Sequence, residues 1–110
     1  MSKGSAIRSE LEALMRQRIV VIDGAMGTTI REYKAKGLLD EAQARGTRFK
    51  DNDKDLLNNG DILSVTKPEI IEDIHRRFLE AGADIIETNT FSGTSIAQSE
   101  FFVEDPREKG

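Results

Sequence analysis

Four consecutive branched apolar residues, Ile19, Val20, Val21 and Ile22, are followed at once by Asp23 and Gly24. An unbroken run of this kind predicts a strand covered on both faces, the habit of parallel sheets. The carboxylate and the glycine end it. Upstream, Ile7, Leu11, Leu14 and Met15 fall at i, i+4, i+7 and i+8, which places them on one face of a helix over residues 6–18. A short polar tail precedes that helix, which is expected to close the bottom of the fold. Downstream, Met26, Thr29, Ile30 and Tyr33 outline a short helix within residues 25–36, and Gly37 is a natural C-terminal stop.

The pattern then breaks. Between residues 38 and 61, Gly46, Asn52, Asn58, Asn59 and Gly60 interrupt a charged stretch, which reads as a long connection with one helical turn around residues 39–44. Asp51, Asp53 and Asp55 alternate as the acids of a calcium loop do. The rest of that motif fails, because Leu56 stands where glycine should turn the chain and Ile62 where a bidentate glutamate should be. A solvated acidic loop is the reading that remains.

Regularity returns at Thr66, which forms the sequence signature of a capping box with Glu69, with Pro68 in the first turn. Ile70, Ile71, Ile74 and Phe78 mark one face of the helix begun there, and Gly82 ends it. Only a few residues separate it from a second strand over residues 84–88, so that strand runs back beside its own helix as in an α/β unit. His75 sits on this helix among Glu72, Arg76 and Arg77. With no cysteine or second histidine near, it reads as a surface or edge residue.

Composition narrows the function classes. The 110 residues, 37% hydrophobic and 33% charged, suit one small and rather polar domain. A formal net charge of −4 with no basic stripe gives no footprint for nucleic acid. The absence of cysteine excludes a disulfide framework and a thiolate metal site built from this chain. No catalytic group or metal ligand is assigned to it. No run approaches the roughly 18 apolar residues of a membrane span, and the N-terminus lacks a signal-peptide core. A cytoplasmic location without membrane contact is expected.

The candidate chemistry lies where the strands end. Parallel pairing brings Asp23 and the polar group Glu87, Thr88, Asn89 and Thr90 to one face, where α/β folds place their sites. Carboxylates there would suit the ammonium of an amino-acid ligand, and the amides of Gly24 and Gly27 with nearby hydroxyls would suit its carboxylate. The alternative is that these residues only cap strands and form turns, which their types also serve. The glycine spacing at residues 24–27 is not that of the dinucleotide fingerprint.

Three segments carry a resemblance: Asp23 to Thr28 (DGAMGT), Asn59 to Ser64 (NGDILS) and Gly82 to Phe91 (GADIIETNTF). In this order they resemble the opening of the homocysteine-binding module of cobalamin-dependent methionine synthases, over roughly Ile7 to Ser99. Betaine- and S-methylmethionine-dependent homocysteine methyltransferases are similar in the same strands. The long spacer and the NGDILS segment favour the cobalamin type.

The resemblance implies an α/β fold, a (β/α)8 TIM-type barrel of which this chain supplies the first two units behind an N-terminal helix. Residues 1–17 would be that helix, 18–99 a partial homocysteine-binding barrel domain and 100–110 a divergent tail. It implies a site in which Asp23, Gly24 and Glu87 hold the amino-acid end of homocysteine, with Asn89 and Thr90 at the mouth. It also implies zinc and cobalamin as cofactors of the parent enzyme, and folate- and cobalamin-binding modules as its partners. In that family three cysteines from later strands hold the zinc, which keeps the homocysteine sulfur as a thiolate. No such cysteine is present here, so neither cofactor is expected to bind this chain alone. A barrel of this class needs about 250 residues. The expectation is therefore a truncated product or an incomplete gene reading. The alternatives are a catalytically inactive isoform or interaction fragment, a piece of another homocysteine methyltransferase using betaine or S-methylmethionine, and a piece of an aldolase-like barrel.

Overall fold

The computed structural model describes residues 3–103. Residues 1–2 and 104–110, the second group being most of the expected tail with its Pro106, lie outside the described residues. The first helix, α1 (Lys3–Gln17), begins within the stretch expected as a polar tail, and none of its residues is buried. Ile7 is 62% exposed and Met15 60%. The helix forms as its periodicity predicts, with Leu11 and Leu14 half-buried and the two ends of its apolar stripe exposed.

The two apolar runs pair in parallel through a bridge between Ile22 and Ile85. The Asp23 N–H donates to the Ile85 carbonyl at 2.9 Å, and the N–H groups of Asp84 and Ile85 both donate to the Val21 carbonyl at 2.7 and 3.2 Å. The direction is the one expected. The covering is not, because Ile19 is 85% exposed and Ile22 54%. Val20 and Ile85 are half-buried, and α5 reaches the end of the first run through His75, so the pair is covered only in part.

After the first run, Ala25 adopts a left-handed conformation with φ 53°, uncommon for a residue with a Cβ. It leads into α2 (Met26–Ala35). Gly37, at φ 72°, closes that helix as its conformational freedom allows: its N–H reaches the Lys34 carbonyl, and the Leu38 N–H reaches that of Tyr33.

Among the described residues neither run extends into a strand beyond this one bridge, and the core lies beyond it. Ile30 of α2 meets Leu39, Ala44, Leu56, Ile62, Leu63, Ile70, Ile71 and Ile74 in one buried cluster. Residues 38–61, expected as an irregular connection, thus supply three of its members. Within them α3 (Glu41–Arg45) starts with a reciprocal capping box, in which Asp40 accepts from the Gln43 amide and Gln43 from the Asp40 amide. The Glu41 carboxylate then fastens the next segment, accepting from the N–H groups of Leu56 and Leu57 at 2.6 and 2.8 Å and from Arg45 Nε at 2.7 Å. Burial pushes this carboxyl up, but those amides and the guanidinium outweigh it and hold it below its ordinary value. Polar residues that read as loop markers are here the ties that let a non-repetitive segment bury its few apolar side chains.

A 3-10 turn at Gly60–Ile62 leads into α4 (Leu63–Thr66) and then α5 (Pro68–Glu80). The expected capping box does not form. Thr66 is the last residue of α4, and its hydroxyl donates back to the Ile62 carbonyl at 3.2 Å, so Lys67 caps α5 without a side-chain bond. The expected apolar stripe does form, with Ile70, Ile71 and Ile74 buried. Tyr33 donates to Asp73 and so joins α2 to α5, and burial, followed by that carboxylate, pushes the phenol up. Gly82, at φ 111°, turns the chain back toward Ile85. A short helix, α6 (Ser95–Gln98), is capped by the Thr94 hydroxyl.

Candidate functional site

The parallel pair carries polar groups at both of its ends. At the base, Arg18 grips Asp84 with both terminal nitrogens, and the same carboxylate accepts from the Val21 amide at 2.9 Å. Arg18, and then that amide, hold the Asp84 carboxyl down at about 2. This clamp joins the starts of the two runs, and main-chain hydrogen bonds continue the pairing toward their far ends.

At the far end, Asp23 does meet the second run. Its side chain is only 5% exposed, and Oδ1 accepts from the Glu87 amide at 3.0 Å. The other oxygen, Oδ2, faces Nδ1 of His75 at 3.6 Å. Glu87 comes to Asp23 through its main chain, while the residue itself is exposed. Gly24 follows directly, and a Cβ added there or at Gly27 would meet nothing within 4 Å. Open space therefore borders both glycines.

Asn89 and Thr90 belong to a second cluster. The Asn89 side-chain amide donates to the Gly60 carbonyl at 2.8 Å and to Ser64 Oγ at 3.1 Å. Thr90 Oγ1 shares a hydrogen bond of 2.7 Å with Thr88 Oγ1. Asp61 accepts from the Ser92 amide at 2.7 Å. Asn59, 2% exposed, exchanges two side-chain hydrogen bonds with Gln98, at 2.6 and 3.2 Å. The segment Asn59-Gly60-Asp61 is thus a rail on which the chain after the second strand is mounted, residue by residue. An open cleft of about 1000 Å³ runs beside it, with Asp61, Ser64, Asn89, Thr90 and Gln98 on its wall. Asp23, Gly24 and Glu87 are not among its lining residues.

Three contributors escape a reading of the sequence. His75 reads as a surface or edge residue; it is half-buried, with its side chain 18% exposed and its Nδ1 buried toward Asp23. The signal is its place on α5, four residues after Ile71 and three before Phe78, on the face that packs inward. Asn59 and Gln98 escape because each is an ordinary loop or helix residue until the other is brought near. Asn59 is discoverable as the cap of the turn it starts, where its Oδ1 accepts from the Ile62 amide.

Chemically, the first cluster presents a carboxylate beside open main chain, which suits an ammonium next to an anion. Among the described residues no group of three or more His, Cys, Asp or Glu could hold a metal ion, and the sequence has no cysteine. These residues do not fit the zinc of the resemblance, and no step through a metal is assigned to them. No helix among the described residues is long and apolar enough to cross a membrane. Residues 20–109 match the family model for homocysteine S-methyltransferase, a span that contains both strand ends, the Asn59-Gly60-Asp61 rail and His75. The chain belongs to the homocysteine S-methyltransferase family.

Proposed function

We propose that this chain is part of a homocysteine S-methyltransferase domain, the first two β/α units of a (β/α)8 barrel, and that it holds the amino-acid end of homocysteine. The observation that carries the reading is the buried Asp23 carboxylate, tied by the Glu87 amide at 3.0 Å and bordered by open space at Gly24, in a chain of this family. Asp23, with the exposed Glu87 beside it, takes the substrate ammonium. The free main chain at Gly24 faces the carboxylate, and Asn89 and Thr90 shape the mouth. The motifs at Asp23 to Thr28, Asn59 to Ser64 and Gly82 to Phe91 favour the cobalamin-dependent methionine synthase type within the family, with folate- and cobalamin-binding modules as partners of the whole enzyme. In that reading a zinc held by other residues of the whole enzyme would keep the substrate sulfur as a thiolate. This chain contributes the hold on the substrate.

The test is a titration of the chain with L-homocysteine under reducing conditions, followed by amide chemical shifts, which read weak binding. Asp23→Ala removes a charge-assisted contact of about 1.5–3 kcal/mol, so affinity should fall by about 10- to 100-fold. An unchanged affinity, or no binding by the unmodified chain, overturns the proposal. The second outcome favours a catalytically inactive interaction fragment, a reading supported by the apolar surface left exposed on α1 and at Ile19.

A further inference from the structure

His75 is the chain's one histidine, and it is placed against the carboxylate at the centre of the candidate site. Its Nδ1 is buried and has no hydrogen-bond partner, a costly state for a polar atom. The nearest acid is Asp23, whose Oδ2 lies 3.6 Å away. The carboxylate is itself nearly enclosed, with Oδ1 committed to the Glu87 amide. Two buried polar atoms, one on each side, thus stand slightly beyond hydrogen-bond reach of each other. Of the charged groups near His75 on α5, Arg76 donates to Glu72 at 2.8 Å and Asp73 accepts from Tyr33. The groove along that side is otherwise lined by Pro68, Ile71, Leu79 and Ile86, with Ser64 its remaining polar wall.

We infer that His75 is a positioning residue for substrate: its Nδ1–H donates to Asp23 Oδ2 and fixes the carboxylate in the orientation that receives the ligand ammonium. The inference rests on the proposed role of Asp23. The geometry divides the work between two supports. The Glu87 amide anchors Oδ1 from the neighbouring strand, and the imidazole anchors Oδ2 from the helix behind it. With only one of them the carboxylate can rotate about its last bond, and its lone pairs no longer point at a fixed place. Held at both oxygens, it meets the ammonium without reorganising, which is how a supporting hydrogen bond improves binding it does not itself make.

The experiment uses the full chain with imidazole nitrogens labelled, which gives one histidine signal set, and L-homocysteine as the probe. The neutral ring should carry its proton on Nδ1, and Asp23→Asn should move the Nδ1 resonance with no ligand present. His75→Leu should weaken homocysteine binding about 10-fold, whereas His75→Asn, whose amide nitrogen can stand near the position of Nδ1, should restore most of the loss. In the Asp23→Ala background His75→Leu should add nothing, because its target is gone. Circular dichroism of each variant separates a folding defect from a binding one, and the label experiment on the unmodified chain needs no variant to fold. If His75→Leu binds as the unmodified chain does while Asp23→Ala does not, the positioning role falls and the Asp23 site stands. If Asp23→Ala binds normally, the site itself falls. A proton on Nε2 alone overturns the inference whatever the affinities.

Discussion

Arg18 and Asp84 face each other across the base of the strand pair, joined by nitrogen–oxygen contacts of 2.7 and 2.5 Å, and the Val21 amide adds a third bond to the same carboxylate. A residue before the first apolar run thereby fixes where the second run begins. The clamp adds to the main-chain hydrogen bonds around the Ile22–Ile85 bridge and to the Asp23–Glu87 contact, which align the same two runs.

The clamp makes acid stability a readout of strand register. Asp84 titrates at about 2 in the folded chain against an ordinary 3.8. A depressed carboxyl stabilises the fold above its unfolded value and loses that contribution as the pH falls toward its folded one. Thermal midpoints measured from pH 5 down to pH 2 should therefore drop more steeply for the unmodified chain than for Asp84→Asn. Superimposable acid profiles would show that the pair contributes nothing to folding.

Glu41 organises the segment whose pattern reads as irregular. Its carboxylate serves two consecutive amides and Arg45, so Glu41→Ala leaves those donors unpaired beside the fully buried Leu56. We expect a loss of about 2–3 kcal/mol in urea unfolding, and a smaller one for Glu41→Gln, which can still accept. A loss below about 0.5 kcal/mol for alanine would mean that water replaces the carboxylate without difficulty.

The Asn59–Gln98 exchange should be coupled. Each side chain alone leaves the other's amide without its partner, so Asn59→Ala and Gln98→Ala are each destabilising, Asn59 the more because it is 2% exposed. The double variant should cost less than the sum by about 1 kcal/mol or more. Faster hydrogen exchange at the Ser92 amide in Asn59→Ala would place the effect on the loop mounted on this rail. Additive costs and unchanged exchange would dissociate the two.

The two apolar helix faces should respond differently. Ile7→Ser and Met15→Ser on α1 remove side chains 62% and 60% exposed and should stay within about 0.5 kcal/mol. Ile74→Ala on α5 empties a site with 0% exposure and should cost about 2–5 kcal/mol. A large effect at Met15 would reveal a partner surface for α1.

Local periodicity is a sound guide wherever a residue's role depends on its near neighbours. The α5 stripe, the stop at Gly37, the turn at Gly82 and the parallel sense of the Ile22–Ile85 pairing all follow from spacing and conformational preference, and the motifs at Asp23 and Glu87 are read from the chain directly. It fails where one residue answers to a distant one. Thr66 carries a capping signature, yet the preceding helix claims its hydroxyl. The polar stretch at residues 38–61 shows few apolar residues, yet long-range hydrogen bonds from Glu41 and Asn59 let it bury three of them. His75 looks solitary in sequence and stands 3.6 Å from Asp23, 52 positions away in the chain, because the strand and α5 fold together.

The sequence by itself thus determined the family, the helical stripes and the residue types gathered at the two strand ends, since these depend on composition and on spacings of a few residues. Only the tertiary structure decided which of those residues meet. Asp23 is held by the Glu87 amide and faces His75, while Asn89 is drawn off to Gly60 and Ser64. The reason is physical: a buried polar atom without a partner is costly, and which groups lie within its reach depends on how distant segments pack, which no local pattern encodes.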